Sequence, residues 1–214
     1  MRLPLPDLDL DLTTDRGVFS ASRIDPGTRL LLQEAPPPSP DVAHALDLGC
    51  GYGAIATVLA RRAPQATVWA VDVNERAVAL AAENARANGA PGVRAVVVDA
   101  DGRAMESDPA NGPGTAPVAT HGSADATGGW PSFDLIWSNP PIRIGKPALH
   151  RLLTTWFGRL APDGQALLVV QRHLGADSLA TWLAERGHPV ERLVSRAGYR
   201  LLRVGAAGQG RAAS

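Results

Sequence analysis

Ser138-Asn139-Pro140-Pro141 follows an apolar run, Phe133-Asp134-Leu135-Ile136-Trp137, of the kind that forms a buried strand. Two consecutive prolines fix their own φ and restrict Asn139 to extended conformations, and Pro140 presents a carbonyl on a residue with no competing N–H. The Asn139 amide oxygen and the Pro140 carbonyl are thus two acceptors on a preorganised loop. Together they can accept both hydrogens of a planar NH₂ group and turn its lone pair toward an electrophile. In such a displacement, positioning and placed charge supply most of the rate. Asn139, Pro140 and Pro141 are therefore the candidate catalytic residues. Elsewhere in a chain the same tripeptide is an ordinary turn; its place after a strand makes it a site.

The electrophile needs a second site. Leu46-Asp47-Leu48-Gly49-Cys50-Gly51-Tyr52-Gly53 runs a strand into a glycine-rich turn that opens a helix, where glycine lets backbone and ligand approach closely. Gly49, Gly51 and Ala54 also satisfy the dinucleotide pattern G-x-G-x-x-G/A. Asp47 breaks the tie. A carboxylate before the first glycine repels a pyrophosphate but accepts, directly or through water, from the ammonium of a methionine moiety. The sign of the charge favours S-adenosylmethionine, with Asp47, Gly49, Gly51 and Gly53 in its cradle. Asp72 ends the next strand, where a carboxylate can accept both ribose hydroxyl protons, a geometry the two cofactors share. Asp99 ends the third strand, placed to receive an adenine amino group, and Ala100 offers the ring a backbone N–H. Asn139 adjoins the same cofactor. Cys50 has no histidine arranged to activate it and reads as packing.

These residues meet only if a parallel sheet brings them to one edge. From Ala43 the chain alternates strand, turn and helix, as βαβ units do. Strands are expected at 45–48, 67–71, 93–98, 133–138 and 166–170, and helices at 54–62, 75–88, 147–160 and 177–186. A hairpin, 190–195 and 199–204 around Ala197-Gly198, closes the sheet. Five parallel strands and a terminal hairpin imply an α/β fold: a seven-stranded, mostly parallel, Rossmann-like methyltransferase sheet with helices on both faces. Residues 1–40 read as a small N-terminal flap with a proline-rich connector. In it Leu8, Leu10 and Leu12 alternate as a strand, Val18-Phe19-Ser20 returns, and a helix begins at Gly27-Thr28. The catalytic domain spans 41–204. Within it, 101–131 is rich in Gly, Pro, Ala, Ser and Thr and reads as a flexible insertion, and 205–214 as a disordered tail.

The 214 residues suffice for one large α/β domain. No apolar stretch is long enough to span a membrane, and prolines interrupt the N-terminus where a secretory signal would be apolar, so a cytoplasmic protein is expected. A single cysteine excludes an internal disulfide, and the five histidines show no ligand spacing, so no metal is expected. Net charge is zero, yet residues 1–131 carry 10 Arg against 16 acidic residues while 132–214 carry 11 Lys plus Arg against 5. That asymmetry permits an RNA partner.

The chain resembles the small-domain methyltransferases, and more closely the ribosomal RNA guanine-N2 methyltransferases. The resemblance lies in Gly17-Val18-Phe19-Ser20, Asp25-Pro26-Gly27-Thr28, Asp47 to Gly53 and Asn139-Pro140-Pro141-Ile142-Arg143. It continues in Gly145-Lys146, Leu149-His150, Gln171, Gly175 to Leu179 and Gly198-Tyr199-Arg200. It covers nearly the whole chain apart from the insertion and tail. It implies S-adenosylmethionine bound by the glycine turn with Asp72 and Asp99, an exocyclic base amine accepted by Asn139, and ribosomal RNA or a ribosomal subunit as partner. Related enzymes often carry a base-stacking aromatic where this chain has Ile142, so Phe19 becomes the stacking candidate, or Ile142 holds the base by apolar contact. The larger members also possess an additional N-terminal domain. Arg143, Lys146 and Arg172 are candidates for RNA phosphate. Methylation of a protein glutamine, whose amide NH₂ has the same geometry, and a non-catalytic RNA-binding module with a relict pocket are the alternatives; a nicotinamide oxidoreductase is more distant.

Overall fold

Runs of Val, Leu, Ala and Trp pair into one sheet in which neighbouring residues face opposite cores. In the computed structural model, which describes residues 1–15, 17–18, 23–105 and 129–208, two N-terminal strands precede this sheet: β1 (Arg2–Pro4) and β2 (Asp9–Asp11). The main strands are β3 (His44–Leu48), β4 (Thr67–Asp72), β5 (Arg94–Val97), β6 (Phe133–Ser138), β7 (Leu160–Gln171), β8 (Val190–Arg196) and β9 (Tyr199–Gly205). They form a seven-stranded sheet of order β5-β4-β3-β6-β7-β9-β8. Pairs from β5 to β7 are parallel, and β9 runs antiparallel to both β7 and β8. The expected seven-stranded, mostly parallel methyltransferase sheet is thus the observed one.

Ala45, Ala70, Leu135 and Val169 face a core shared with α1 (Pro26–Glu34), α2 (Ala54–Arg62) and α3 (Glu75–Ala87). The alternate residues Leu46, Val71, Ile136 and Leu168 face a second core with α4 (Lys146–Phe157) and α5 (Ala176–Ala184). Burial on both faces explains why the strands read as continuous apolar runs.

Several boundaries depart from expectation. The N-terminal segment is built into the first core: Leu3, Leu10 and Leu12 are fully buried there, and the buried Asn84 of α3 bonds Thr13 and Tyr52. β2 pairs with β1, a strand that Pro4 and Pro6 conceal in the sequence. Val18 lies in a bend, and Phe19 and Ser20 fall outside the described residues. α4 stops at Phe157 and β7 begins at Leu160, well before the expected 166; Gly164 permits this because a Cβ there would stand 2.6 Å from the Phe133 carbonyl oxygen.

The insertion drawn at 101–131 is too wide. Its returning end carries Trp130, which is buried edge-on between Trp69 and Trp156, with ring centroids 5.2 and 5.1 Å apart, and donates to the Gly102 carbonyl. The tail drawn from 205 likewise starts too early, since Gly205 ends β9 and Ala206 is buried and bonded to Gly164.

Candidate functional site

The carboxyl ends of β3, β4 and β6 converge, and hydrogen bonds lock them. Ser138 Oγ donates to the Leu48 carbonyl at 2.7 Å. The Gly49 and Cys50 amides donate to the Val71 carbonyl, and the Gly51 amide donates to Asp72 Oδ2 at 3.0 Å. Asp72 Oδ1 accepts from the Asn74 amide, so one carboxylate ties the turn to the head of α3. Gly49 and Gly51 hold φ of 74° and 51°, in the left-handed region. A Cβ on Gly51 would meet nothing within 4 Å, so open space adjoins the turn. Gly53 differs: its Cβ would stand 2.6 Å from Ala81 Cα, so this glycine is required by the packing of α2 on α3.

Asp47 is fully buried. Its Oδ2 accepts from the Ala56 amide at 2.8 Å, while Oδ1 has no partner. Burial, opposed by the Ala56 hydrogen bond and reinforced by the charge of Asp72, pushes its carboxyl up to about 8. A buried carboxylate oxygen without a donor is costly, and a cationic donor at this turn would satisfy it. The residues therefore fit the ammonium of S-adenosylmethionine, directly or through water. Burial also raises the Cys50 thiol, which keeps it unreactive.

Asp99 reaches the same edge, because the Val98 amide donates to the Asp72 carbonyl at 3.0 Å. Its Oδ1 is already engaged, accepting from the Asp101 and Arg103 amides at 2.9 Å each. The Arg103 amide bond, with smaller help from its neighbours, holds the carboxyl below its usual range. Asp99 thus caps its own turn, and the adjacent Ala100 is exposed. Val73, absent from the expected set, is 65% exposed immediately after Asp72. Its signal was an apolar residue between a strand-ending Asp and a helix-capping Asn.

Asn139 is held from the N-terminal side. Its Nδ2 donates to Asp25 Oδ1 at 2.7 Å and to Thr28 Oγ1 at 3.0 Å. A carboxylate only accepts, so the amide nitrogen must face Asp25 and the amide oxygen remains available as an acceptor. The same Asp25 oxygen caps α1 through the Gly27 and Thr28 amides at 2.8 and 3.0 Å. Neither Asp25 nor Thr28 was expected at the site; their sequence signals are a helix cap and the place of Asp25-Pro26-Gly27-Thr28 among the segments that carry the family resemblance, neither of which assigns them a role. Burial, with the nearby Asp25 charge, raises the Tyr52 phenol to about 12. The Pro140 carbonyl accepts from the Ile142 amide at 2.8 Å, and Pro141 has φ −74° and ψ 75°. That is an inverse γ-turn. It occupies one lone pair of the carbonyl and leaves the second.

Ile142 and Arg143 lie in a 3-10 turn, Ile142–Ile144, and Lys146 begins α4. Arg172 lies in a second 3-10 turn, Arg172–Leu174, after β7. All three basic residues are exposed and Ile142 is half-buried. Ile142 and Lys146 line one cleft. Phe19 lies outside the described residues.

A family model described as Methyltransferase small domain matches residues 9–108 and 89–203. The Bacillus subtilis (strain 168) protein YbxB, described as uncharacterised, is 32% identical over 200 residues, covering 94% of this chain and 88% of that protein. Ribosomal RNA small subunit methyltransferase C of Hahella chejuensis is 32% identical, over 90% of this chain and 48% of its own length. Among solved structures, a T. thermophilus 16S rRNA N2 guanosine methyltransferase (RsmC), in complex with AdoMet and guanosine, superposes with a TM-score of 0.71. It is 24% identical and covers 96% of this chain and 49% of its own. The chain thus spans about half the length of these two methyltransferases. No helix among the described residues is long and apolar enough to cross a membrane.

Proposed function

We propose that this chain, which belongs to the Methyltransferase small domain family, transfers a methyl group from S-adenosylmethionine to an exocyclic base amine, guanine N2 of ribosomal RNA. The observation that carries the reading is the orientation of Asn139: with Nδ2 committed to Asp25 and Thr28, its Oδ1 is left to accept a hydrogen from an incoming NH₂ group. The remaining lone pair of the Pro140 carbonyl accepts the second hydrogen, which leaves the nitrogen lone pair free to attack.

S-adenosylmethionine supplies an electrophilic methyl on a sulfonium. Asp47 receives its ammonium, Gly49 and Gly51 allow close approach, and Asp72 accepts from the ribose hydroxyls. Asp99 and Ala100 take the adenine edge, beside which Val73 offers an apolar surface. Gly53 contributes by letting α2 pack closely enough to aim the turn. Positioning and desolvation by these residues would lower the barrier as the methyl passes to nitrogen with cleavage of its bond to sulfur, S-adenosylhomocysteine leaving as the neutral thioether and the surplus proton on nitrogen passing to solvent. Arg143, Lys146 and Arg172 contact RNA phosphate, Ile142 packs against the base, and Phe19 supplies stacking. The guanine assignment draws support from the relatives' names and from the guanosine in the T. thermophilus complex. A cytoplasmic enzyme acting on ribosomal RNA or a ribosomal subunit follows from the same reading.

The test is Asn139→Ala. Methyl transfer to ribosomal RNA is expected to fall by at least about a hundredfold, the scale of losing a placed polar contact to the reacting group, while calorimetry still detects S-adenosylmethionine binding. Undiminished transfer by the variant refutes the assignment.

A further inference from the structure

Beside the Asn-Pro-Pro loop a cleft of ≈ 230 Å³ opens between the Ile142–Ile144 turn with the start of α4 on one side and the end of β7 with the start of α5 on the other. Its lining is mainly apolar, from Ile142, Leu149, Val170, Leu174 and Leu179. Asn139, Pro140, Pro141 and the glycine turn are not among its lining residues, and Ile142 is the one residue it shares with the proposed seat of the methylated base, so the cleft adjoins the place where the amine would react without including it.

Two properties of the rim distinguish it. Ile144 and Leu174, each 48% exposed, are two of the four large apolar side chains exposed among the described residues, and both belong to the turns bounding this cleft. Arg143, Lys146 and Arg172 stand on the same turns and at the start of α4, all three exposed, and none of them forms an ion pair with a carboxylate among the described residues, a property shared with several arginines elsewhere but here gathered around one apolar cleft. An apolar slot rimmed by uncompensated cations is complementary to a flat apolar group carried on an anionic backbone. Single-stranded RNA presents that combination when a base leaves its stack. The volume suits one planar base rather than a folded peptide element.

We propose that this cleft receives the unstacked base of a nucleotide flanking the one that is methylated, with the adjoining phosphates held by Arg143, Lys146 and Arg172. It is thus a second nucleotide pocket that selects single-stranded RNA and fixes the strand so that the neighbouring amine meets Asn139. The proposal rests on the reading of the chain as an RNA methyltransferase, but its binding step is measurable without turnover.

The experiment measures fluorescence anisotropy of a labelled single-stranded oligoribonucleotide pool against the full chain, with S-adenosylmethionine present. Ser178→Trp fills the cleft from α5, and Leu174→Ala strips its edge. Each is expected to weaken RNA binding, by about tenfold for Ser178→Trp, with unchanged cofactor affinity and unchanged circular dichroism. Randomised abasic positions in the pool should weaken wild-type binding and have less effect on Ser178→Trp. Wild-type RNA affinity in both variants overturns the proposal. So does equal displacement of the RNA by polyglutamate, because the cleft would then be reading charge alone. Parallel assay of Asn139→Ala separates the two claims: if that variant still methylates RNA, the functional reading fails while the binding results still decide the pocket.

Discussion

The sharpest consequence of the geometry concerns two residues remote from Asn139 in sequence. Asp25→Ser keeps a good helix N-cap for α1, since Ser and Asp cap about equally well, but its shorter side chain cannot reach the Asn139 amide. Thr28→Val keeps the shape and removes the second acceptor. The Asn139 Nδ2 bond to Asp25 is 2.7 Å long and its acceptor is charged, and the bond to Thr28 is 3.0 Å long and its acceptor is neutral. A hydrogen bond to a charged partner contributes about 1.5–3 kcal/mol and a neutral one about 0.5–1.5 kcal/mol. Without these partners the amide can flip and present its NH₂ to the acceptor amine. If the whole preference is expressed in the transition state, Asp25→Ser lowers kcat by roughly tenfold to a hundredfold and Thr28→Val by roughly twofold to tenfold. Single-turnover methyl transfer at saturating cofactor measures this, with cofactor Kd from calorimetry and thermal unfolding as controls. The double variant should approach but not exceed the loss in Asn139→Ala. A folded Asp25→Ser protein with wild-type kcat, or one whose loss lies wholly in cofactor affinity, refutes the reasoning.

The two glycines of the turn should separate. Gly53→Ala places a Cβ 2.6 Å from Ala81 Cα at φ 82° and is expected to lower the melting temperature markedly, whereas Gly51→Ala meets no protein atom and should lose cofactor affinity at a stability cost of only about 1–2 kcal/mol. Equal stability losses would contradict this. Asp47 titrates near 3.8 when unfolded and is pushed up to about 8 when folded, so its stabilising contribution is full below the lower value and declines as pH rises through the upper one. Urea unfolding across that window should show a fall with pH that Asp47→Asn flattens, while cofactor affinity in the native protein rises toward pH 8 as the carboxylate ionises. A slope unchanged by the substitution counts against the unpartnered oxygen. Trp130→Ala removes a ring packed against Trp69 and Trp156 and should cost about 3–5 kcal/mol by chemical denaturation; a cost below about 1 kcal/mol would show that this end of the insertion is not part of the core.

What could be read from the chain was what is local in it. The glycine turn and the Asn-Pro-Pro loop are contiguous motifs, each acidic strand end is read from its own strand, and βαβ alternation brings them to one edge. The support of Asn139 was not legible, because Asp25 lies 114 residues away, and neither a helix cap nor membership of a resembling segment tells which side chain it will hold. Trp130 was hidden by the polar, small-residue composition around it, and β1 by its prolines. Asp99 follows β5 and Pro140 follows β6, but the bonds they make to Arg103 and Ile142 depend on turns whose φ and ψ a sequence pattern does not specify. The separate job of Gly53 emerged only from the approach of α3, since a glycine pattern records permissiveness and not its cause.

Transfer of labelled methyl from S-adenosylmethionine to ribosomal RNA by the wild-type chain, followed by digestion to nucleosides, tests the central claim most directly. Label recovered as N2-methylguanosine, and lost with Asn139→Ala, is the expected result; label confined to protein, or RNA label that survives the substitution, would contradict it.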